Sequence, residues 1–286
     1  MEVKKMNELY GYKEDKPLVL NDLKRLYNFL YEQNPNPNID EEYYPYNIYN
    51  LREDAANFFN ALNLNIHSVP YINMDDLLKI DDLSKQYDNM VELINPFDLP
   101  VFYANYSIFS GQLGKALINS ENYPSVIFLA VGLGKILSQI TFSSYIHEIT
   151  HTQVDSVKGS VEKEQNSEVL SIFMEKLAAN YIGGNDLLNA VNNLRNYYIL
   201  SCLSDLVLEV SPENTRENNM YIASNFQADE LYYKYANSNK EEKAQIIDNI
   251  QNIFDGNITL ESVLDEMNIS VQTSTDEKVL KKRLLK

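Results

Sequence analysis

One short segment, residues 145–151 (YIHEITH), constrains this chain more than any other because it contains an HExxH motif. The chain has three histidines, and two of them, His147 and His151, stand in this motif. Residues four apart lie on one face of a helix, so both imidazoles can bind the same Zn²⁺ ion, with Glu148 beside them to handle a water proton. HExxH also occurs by chance on ordinary amphipathic helices, and the surrounding sequence has to decide between these interpretations.

Length, charge and cysteine content exclude several classes of protein. With 286 residues the chain can bury a full hydrophobic core, as one large domain or as two lobes. Its formal net charge of −17 repels phosphate backbones, so we expect no nucleic-acid partner. A single cysteine, Cys202, excludes an internal disulfide and fits a reducing compartment.

The predicted location is the cytoplasm. Residues 1–16 contain no apolar run of the kind that a signal peptide needs. No uninterrupted apolar stretch is long enough to span a bilayer, so we expect no membrane span. Export without a leader stays open, and the oligomeric state is not predicted.

Hydrophobic periodicity predicts a mostly α protein. Apolar residues at helical spacing predict helices at residues 17–33, 48–62, 74–95, 138–156, 164–182, 185–210, 216–236, 239–254 and 259–267. Gly183 and Gly184 separate two of these helices, and prolines and asparagines make residues 34–46 a loop. Ser238 and Glu241 form the pattern of a capping box.

A small β-sheet is predicted immediately before the motif helix. Residues 100–109 and 123–131 are short runs rich in β-branched and aromatic residues, bounded by proline and glycine. We divide the chain into an N-terminal helical lobe, residues 1–99, and a lobe that carries the motif, residues 100–286, packed together as one compact unit.

Two histidines leave a catalytic zinc site incomplete, because such a site uses three protein ligands and keeps one position open. A metzincin would carry glycine and histidine where this chain has Val154 and Val157, so that class is excluded. Asp155 lies one turn beyond His151, but a ligand two turns from His147 on the same helix would have to stretch.

The next predicted helix offers better candidates for the third ligand. Glu168 and Glu175 are seven residues apart and therefore project from one helix face. The loop at residues 157–163 is long enough to set this helix antiparallel to the motif helix. One carboxylate can then bind zinc while the other orients a ligand. The alternative interpretation is a pair of surface carboxylates in an acidic protein.

These segments together resemble a known family. HEITHTQ followed by NSEVLSIFMEKLAA is similar to the oligoendopeptidase F / thimet oligopeptidase family of zinc metallopeptidases, which is of the gluzincin type. The resemblance covers about residues 100–270 and implies a zincin-like catalytic lobe with one zinc ion per chain. It further implies Glu168 as the third ligand and Glu175 as a supporting residue. Thr150 stands where the family usually has glycine, and the chain is short for a member.

The resemblance also implies a mechanism for hydrolysing peptides or flexible protein segments. Zinc polarises a water molecule and the scissile carbonyl, while Glu148 takes the water proton and passes it to the leaving amine. The developing oxyanion needs a further donor, for which the family uses a tyrosine or histidine from a downstream helix. No histidine follows His151, and MYIAS at residues 220–224 resembles that helix, so we predict Tyr221. The competitors are Tyr232, Tyr233 and Tyr235.

Zinc peptidases of this shape bind an extended peptide along the edge strand beside the HExxH helix. We therefore predict substrate binding by the backbone at Val126, Phe128 and Ala130. Two other functions stay open. One is a catalytically silent peptide-binding module on a metallopeptidase scaffold, although the intact Glu148 argues against it. The other is a helical interaction protein with an accidental HExxH.

Overall fold

The structure is a computed structural model, and it describes most of the chain from the middle onward. The described residues are 45–46, 50–66, 91–94, 100–105, 114–117, 126–131, 137–155, 163–208 and 212–269. Helices account for most of them, which confirms the prediction of a mostly α protein. The helix predicted at 17–33 and nearly all of the loop predicted at 34–46 lie outside the described residues.

The described helices are α1 (Leu51–Ala61), α2 (Gln139–Asp155), α3 (Lys163–Leu208), α4 (Pro212–Asn237), α5 (Lys240–Phe254) and α6 (Leu260–Glu266). The strands are β1 (Pro45–Tyr46), β2 (Val91–Ile94), β3 (Pro100–Asn105), β4 (Gly114–Leu117), β5 (Val126–Val131) and β6 (Leu137–Ser138). The helix predicted at 48–62 and those predicted from 138 onward are confirmed to within a few residues. The helix predicted at 74–95 is wrong over β2, because a four-residue apolar run does not distinguish helix from strand until a partner strand is known.

Four of the strands form one sheet in the order β2-β3-β5-β4. The strands β3 and β5 are parallel, and the other two pairs are antiparallel. The boundary predicted at residue 99 falls between β2 and β3, which are hydrogen-bonded neighbours. Residues on both sides of that boundary therefore belong to the same sheet.

The strand β5 is not an edge strand, so the prediction for Val126, Phe128 and Ala130 is wrong in this respect. Phe128 is paired with Phe102 on β3 and with Lys115 on β4. A strand with neighbours on both sides has no free backbone groups to offer a peptide. The uninterrupted apolar run of β5, without alternation, is typical of such a central strand. The run alone does not show which strands lie on either side of β5.

The helix α2 lies at the centre of the described fold. Its neighbours include β4, β5, α1, α3 and α5. All side chains from residue 142 to residue 153 are buried, although eight of these twelve are polar or charged. Several of these polar groups are satisfied within the helix: Ser143, Thr150 and Thr152 donate to the backbone carbonyls of Ile140, Ile146 and Ile149. Thr150 is thus accommodated by its own helix, where the resembling family has glycine.

The helix α3 is a hairpin and not a straight rod. Gly184 has φ 62° and ψ −154°, a conformation essentially restricted to glycine. Glu175 and Arg195 are 20 residues apart, which in a straight helix would separate them by about 30 Å, yet their side chains form a salt bridge. We therefore call residues 163–183 α3a and residues 185–208 α3b, two antiparallel helices. The break that the sequence predicts at the glycine pair is confirmed.

The N-terminal and C-terminal helices complete one core around α2. The ring of Phe58 on α1 contacts the ring of Phe142 on α2 edge-on, with centroids 6.2 Å apart. The apolar faces of α5 and α6 join the same cluster. The capping box of α5 lies one residue later than predicted, since Asn239 caps the helix and Glu242 returns the bond. The Ser238 hydroxyl instead donates to the carbonyl of Lys234 in the preceding helix.

Candidate metal centre

The predicted metal ligands lie on two antiparallel helices that face each other. His151 lies beside Glu168, with 3.4 Å between Nε2 and Oε1. His147 lies one turn before His151 on α2, and Glu175 lies two turns after Glu168 on the same face of α3a. His147 Nδ1 is 3.6 Å from Glu175 Oε2. Such crossed pairing requires antiparallel helices, so the arrangement predicted from the sequence is confirmed.

Three donor atoms converge at the spacing that a zinc ion requires. His147 Nε2 and His151 Nε2 are 3.0 Å apart, and Glu168 Oε2 is 3.6 Å from His147 Nε2. Ligands held about 2.0–2.1 Å from zinc at tetrahedral angles lie roughly 3.3–3.4 Å from one another. The observed separations bracket this value, and the donor set of two imidazoles and one carboxylate is one that zinc commonly takes.

Glu168 carries an additional sign of a metal site. Its Oε2 atom is buried and has no hydrogen-bond partner within the described part of the chain. Buried polar atoms are nearly always satisfied, so an orphaned carboxylate oxygen beside two imidazoles fits the role of a metal ligand. Burial acts to raise the pKa of Glu168, but His151, His147 and Arg195 outweigh it and lower that pKa to about 2. The carboxylate is therefore held ionised, as a metal ligand must be.

Glu148, on α2, has an electrostatic setting opposite to that of Glu168 on α3a. Burial is the largest influence on it and raises its pKa above the ordinary value, against the opposing effects of His147, His151 and Arg195. Glu148 is only 6% exposed. The pKa values of two carboxyl groups in one site are thus shifted in opposite directions. Glu168 is held in the ionised form, and Glu148 is shifted toward holding a proton, which is how acid–base roles are commonly divided.

Each histidine of the motif has a neighbour for its other ring nitrogen. His151 Nδ1 is 2.5 Å from Ser167 Oγ. When Nε2 binds a metal, Nδ1 carries the hydrogen and the serine oxygen accepts it. Glu175 lies beside His147 Nδ1 and is 1% exposed. The predicted supporting role of Glu175 therefore has a geometric basis, whereas Ser167 carries no signal that distinguishes it in the sequence.

Arg195 on α3b is the residue of this centre that the sequence interpretation missed. Its Nε donates to Glu175 Oε2 at 2.7 Å, and its Nη2 lies 2.9 Å from His147 Nδ1. A signal does exist, because Arg195 interrupts a buried stripe of α3b. At helical spacing on either side of it the buried residues are Leu188, Val191, Ile199 and Cys202. A cation within such a stripe requires a buried acidic partner.

The candidate oxyanion donors lie on different sides of the helices. Tyr221 on α4 contacts Tyr198 on α3b, with ring centroids 5.5 Å apart and the planes nearly perpendicular. Tyr198 lies three residues after Arg195, on the same face of α3b. The competitors Tyr232 and Tyr235 contact Phe173. Phe173 is two residues from Glu175 and hence on nearly the opposite face of α3a.

No protein-family model, curated protein or solved structure matches this chain. The family resemblance thus stays a prediction carried by the residues of HEITHTQ and NSEVLSIFMEKLAA. In the described segments, none of the helices combines the length and the apolar character needed to cross a membrane.

Proposed function

We propose that this protein is a zinc-dependent metallopeptidase of the gluzincin type that hydrolyses peptide bonds in peptides or flexible protein segments. The observation that carries the proposal is the convergence of His147, His151 and Glu168 in one buried site that also contains Glu148. These four residue types in this arrangement supply a metal position and a general base, which together suit the hydrolysis of an amide.

His147 Nε2, His151 Nε2 and Glu168 would hold the metal. A bound zinc ion supplies Lewis-acid polarisation of a water molecule and of the scissile carbonyl. Glu148 accepts the proton of the attacking water on its carboxylate and later delivers it to the nitrogen of the leaving amine. Burial suits Glu148 to this task, because a raised pKa lets a carboxylate hold a proton between the two transfers.

The remaining parts of the mechanism concern the oxyanion and the substrate. The Tyr221 hydroxyl would donate to the developing oxyanion, since its ring lies beside Tyr198 on the side of Arg195. An extended peptide would add to the outer edge of β4. Among the described strands β4 is paired on one side only, with β5, and it also contacts α2.

The decisive experiment compares the wild type with Glu148→Gln on a mixed peptide library, with cleavage products identified by mass spectrometry. We expect the variant to bind one zinc ion per chain as the wild type does, while its cleavage rate falls by about 10²–10⁴-fold. Glu261→Gln, the same change at an exposed position of α6, should leave the rate unaltered. A zinc-loaded Glu148→Gln variant that cleaves at the wild-type rate would refute the proposal.

A catalytically silent peptide-binding module is the second candidate, and the burial of the centre favours it. Glu148 and the three ligands are all buried, so a substrate reaches them only through a narrow opening or after a local movement. The same library separates the candidates. Zinc-loaded wild-type protein that retains peptides and cleaves none of them supports the silent module, whereas cleavage dependent on Glu148 supports the enzyme.

A further inference from the structure

We propose that Arg195 is a positioning residue of the metal centre, which holds the Glu175 carboxylate beside Nδ1 of His147 and so fixes the orientation of the His147 ring for metal binding. This inference rests on the proposed zinc site. It assigns a role to a residue on a third helix, α3b, which contributes no ligand of its own.

The contacts of Arg195 connect all three helices that build the centre. Its Nε and Nη2 both donate to Oε2 of Glu175 on α3a. Its Nη2 also lies 2.9 Å from Nδ1 of His147 on α2. When Nε2 binds a metal, Nδ1 carries the hydrogen and faces the Glu175 carboxylate. Since the guanidinium is planar and its donors are fixed in a fork, it holds that carboxylate in place beside the imidazole.

The orientation of the His147 ring is what such a bridge controls. His147 directs Nε2 toward His151 and Glu168, and it directs Nδ1 toward Arg195 and Glu175. A ring that is held at one nitrogen has its other nitrogen fixed in direction. Partners of this kind are known to govern the geometry and the affinity of metal-binding histidines.

The charge of the centre also requires Arg195. Glu148, Glu168 and Glu175 place three carboxyl groups in a buried region. Arg195 offsets the charge of the Glu175 carboxylate through the ion pair between them. Without Arg195 the Glu175 carboxylate would be left buried and uncompensated, and it would move away from His147 to regain solvent or another donor.

Another cation on α3, the buried Lys176, provides a matched comparison. Lys176 is 4% exposed, forms a salt bridge with Asp229 on α4 and donates to Asn192 on α3b. It connects helices as Arg195 does, but its contacts lie outside the metal centre. Removing Lys176 therefore reports the general cost of losing a buried ion pair, without the effect on His147.

The test measures zinc affinity by competition with a chelator of known affinity, together with the visible absorption spectrum of the cobalt(II)-substituted protein. We expect Arg195→Met to weaken zinc binding by about 10–100-fold and to alter the cobalt spectrum, because the ring of His147 loses its fixed direction. Arg195→Lys keeps the charge but lacks the fork, so it should recover part of the loss. Lys176→Met should keep the wild-type affinity and spectrum.

A double variant shows whether Arg195 acts through Glu175. If it does, Arg195→Met combined with Glu175→Gln should bind zinc no more weakly than Glu175→Gln alone. The inference is overturned if Arg195→Met retains the wild-type affinity and cobalt spectrum, or if Lys176→Met weakens zinc binding equally. A wild-type protein that binds no zinc would refute the proposed function itself, which distinguishes the two failures.

Discussion

Two pairs of helices in this molecule bury side chains of opposite chemistry. The interior face of α5 and α6 is purely apolar, and its buried residues are Ile246, Ile247, Ile250, Ile253, Phe254, Leu260, Val263 and Leu264. The interface of α2 and α3a is rich in buried polar groups, which include Ser143, Thr152, Gln153, Ser167 and Ser171 as well as the candidate ligands. Burying apolar groups stabilises a fold, whereas burying polar groups is costly unless they are bonded.

The difference indicates that one pair of helices stabilises the fold and the other forms the candidate site. The pair α5 and α6 follows every local rule, with capped starts and a continuous apolar stripe, and serves stability. The pair α2 and α3a departs from the apolar pattern of a core, and such departures are typical of functional sites. Changes in one pair should therefore affect the free energy of unfolding, and changes in the other should affect metal binding.

Phe254→Ala should have the largest effect on stability. The side chain is fully buried at the end of α5, so its removal leaves a cavity and lowers the free energy of unfolding by about 3–5 kcal/mol. Zinc affinity, measured on the folded protein, should stay unchanged. Denaturant unfolding and a zinc titration on the same sample check both results. A parallel loss of zinc affinity would break the comparison, since it would show that the apolar pair also shapes the metal centre.

Glu168→Gln tests the other side of the comparison. A zinc concentration 1,000 times the dissociation constant should raise the unfolding free energy of the wild type by about 4 kcal/mol, and the variant should lose most of that gain because an amide replaces the ligand carboxylate. Without zinc the variant should be less stable than the wild type near neutral pH, since the neighbours that lower the pKa of Glu168 to about 2 stabilise its ionised form in the folded protein. Unfolding curves with and without zinc provide the measurement. Equal stabilisation of both proteins by zinc would contradict the ligand assignment.

The sequence predicts local features of this molecule well and long-range ones poorly. The helix boundaries, the break at Gly184 and the ligand spacing of the motif all depend on residues within a few turns of one another. The position of β5 between β3 and β4 depends on pairing between distant segments, so an apolar run cannot reveal it. The position of the candidate ligand Glu168 is intermediate in predictability, because its place beside His151 follows once two adjacent helices are antiparallel.

Arg195 shows why the rest of the site could not be predicted. Its position within a buried stripe requires an acidic partner, but α3 and α4 contain several carboxylates, and the sequence does not show which of them is the partner. The choice of Glu175 follows from the exact reversal of the chain at Gly184, which brings α3b back along α3a. A glycine pair predicts a break in a helix, and the angle of that break is a property of the packed structure.

Two glycines with positive φ give the smallest and sharpest test of the comparison. Gly184 has φ 62° between α3a and α3b, and Gly256 has φ 73° after α5. A Cβ at Gly184 would meet no atom within 4 Å, so Gly184→Ala costs only backbone strain, about 1–3 kcal/mol of unfolding free energy. Gly256→Ala should cost about 1–2 kcal/mol for the same reason.

The two alanine variants should nevertheless differ in zinc affinity. Strain at Gly184 is relieved by a change in the angle between α3a and α3b, which moves Arg195 relative to Glu175 and weakens zinc binding. Strain at Gly256 is relieved at the end of α5, far along the chain from any ligand, and leaves the affinity unchanged. Chelator competition on the two folded variants measures the difference. Equal affinities would show that the centre tolerates movement of α3b, and the positioning role of Arg195 would then lose its structural basis.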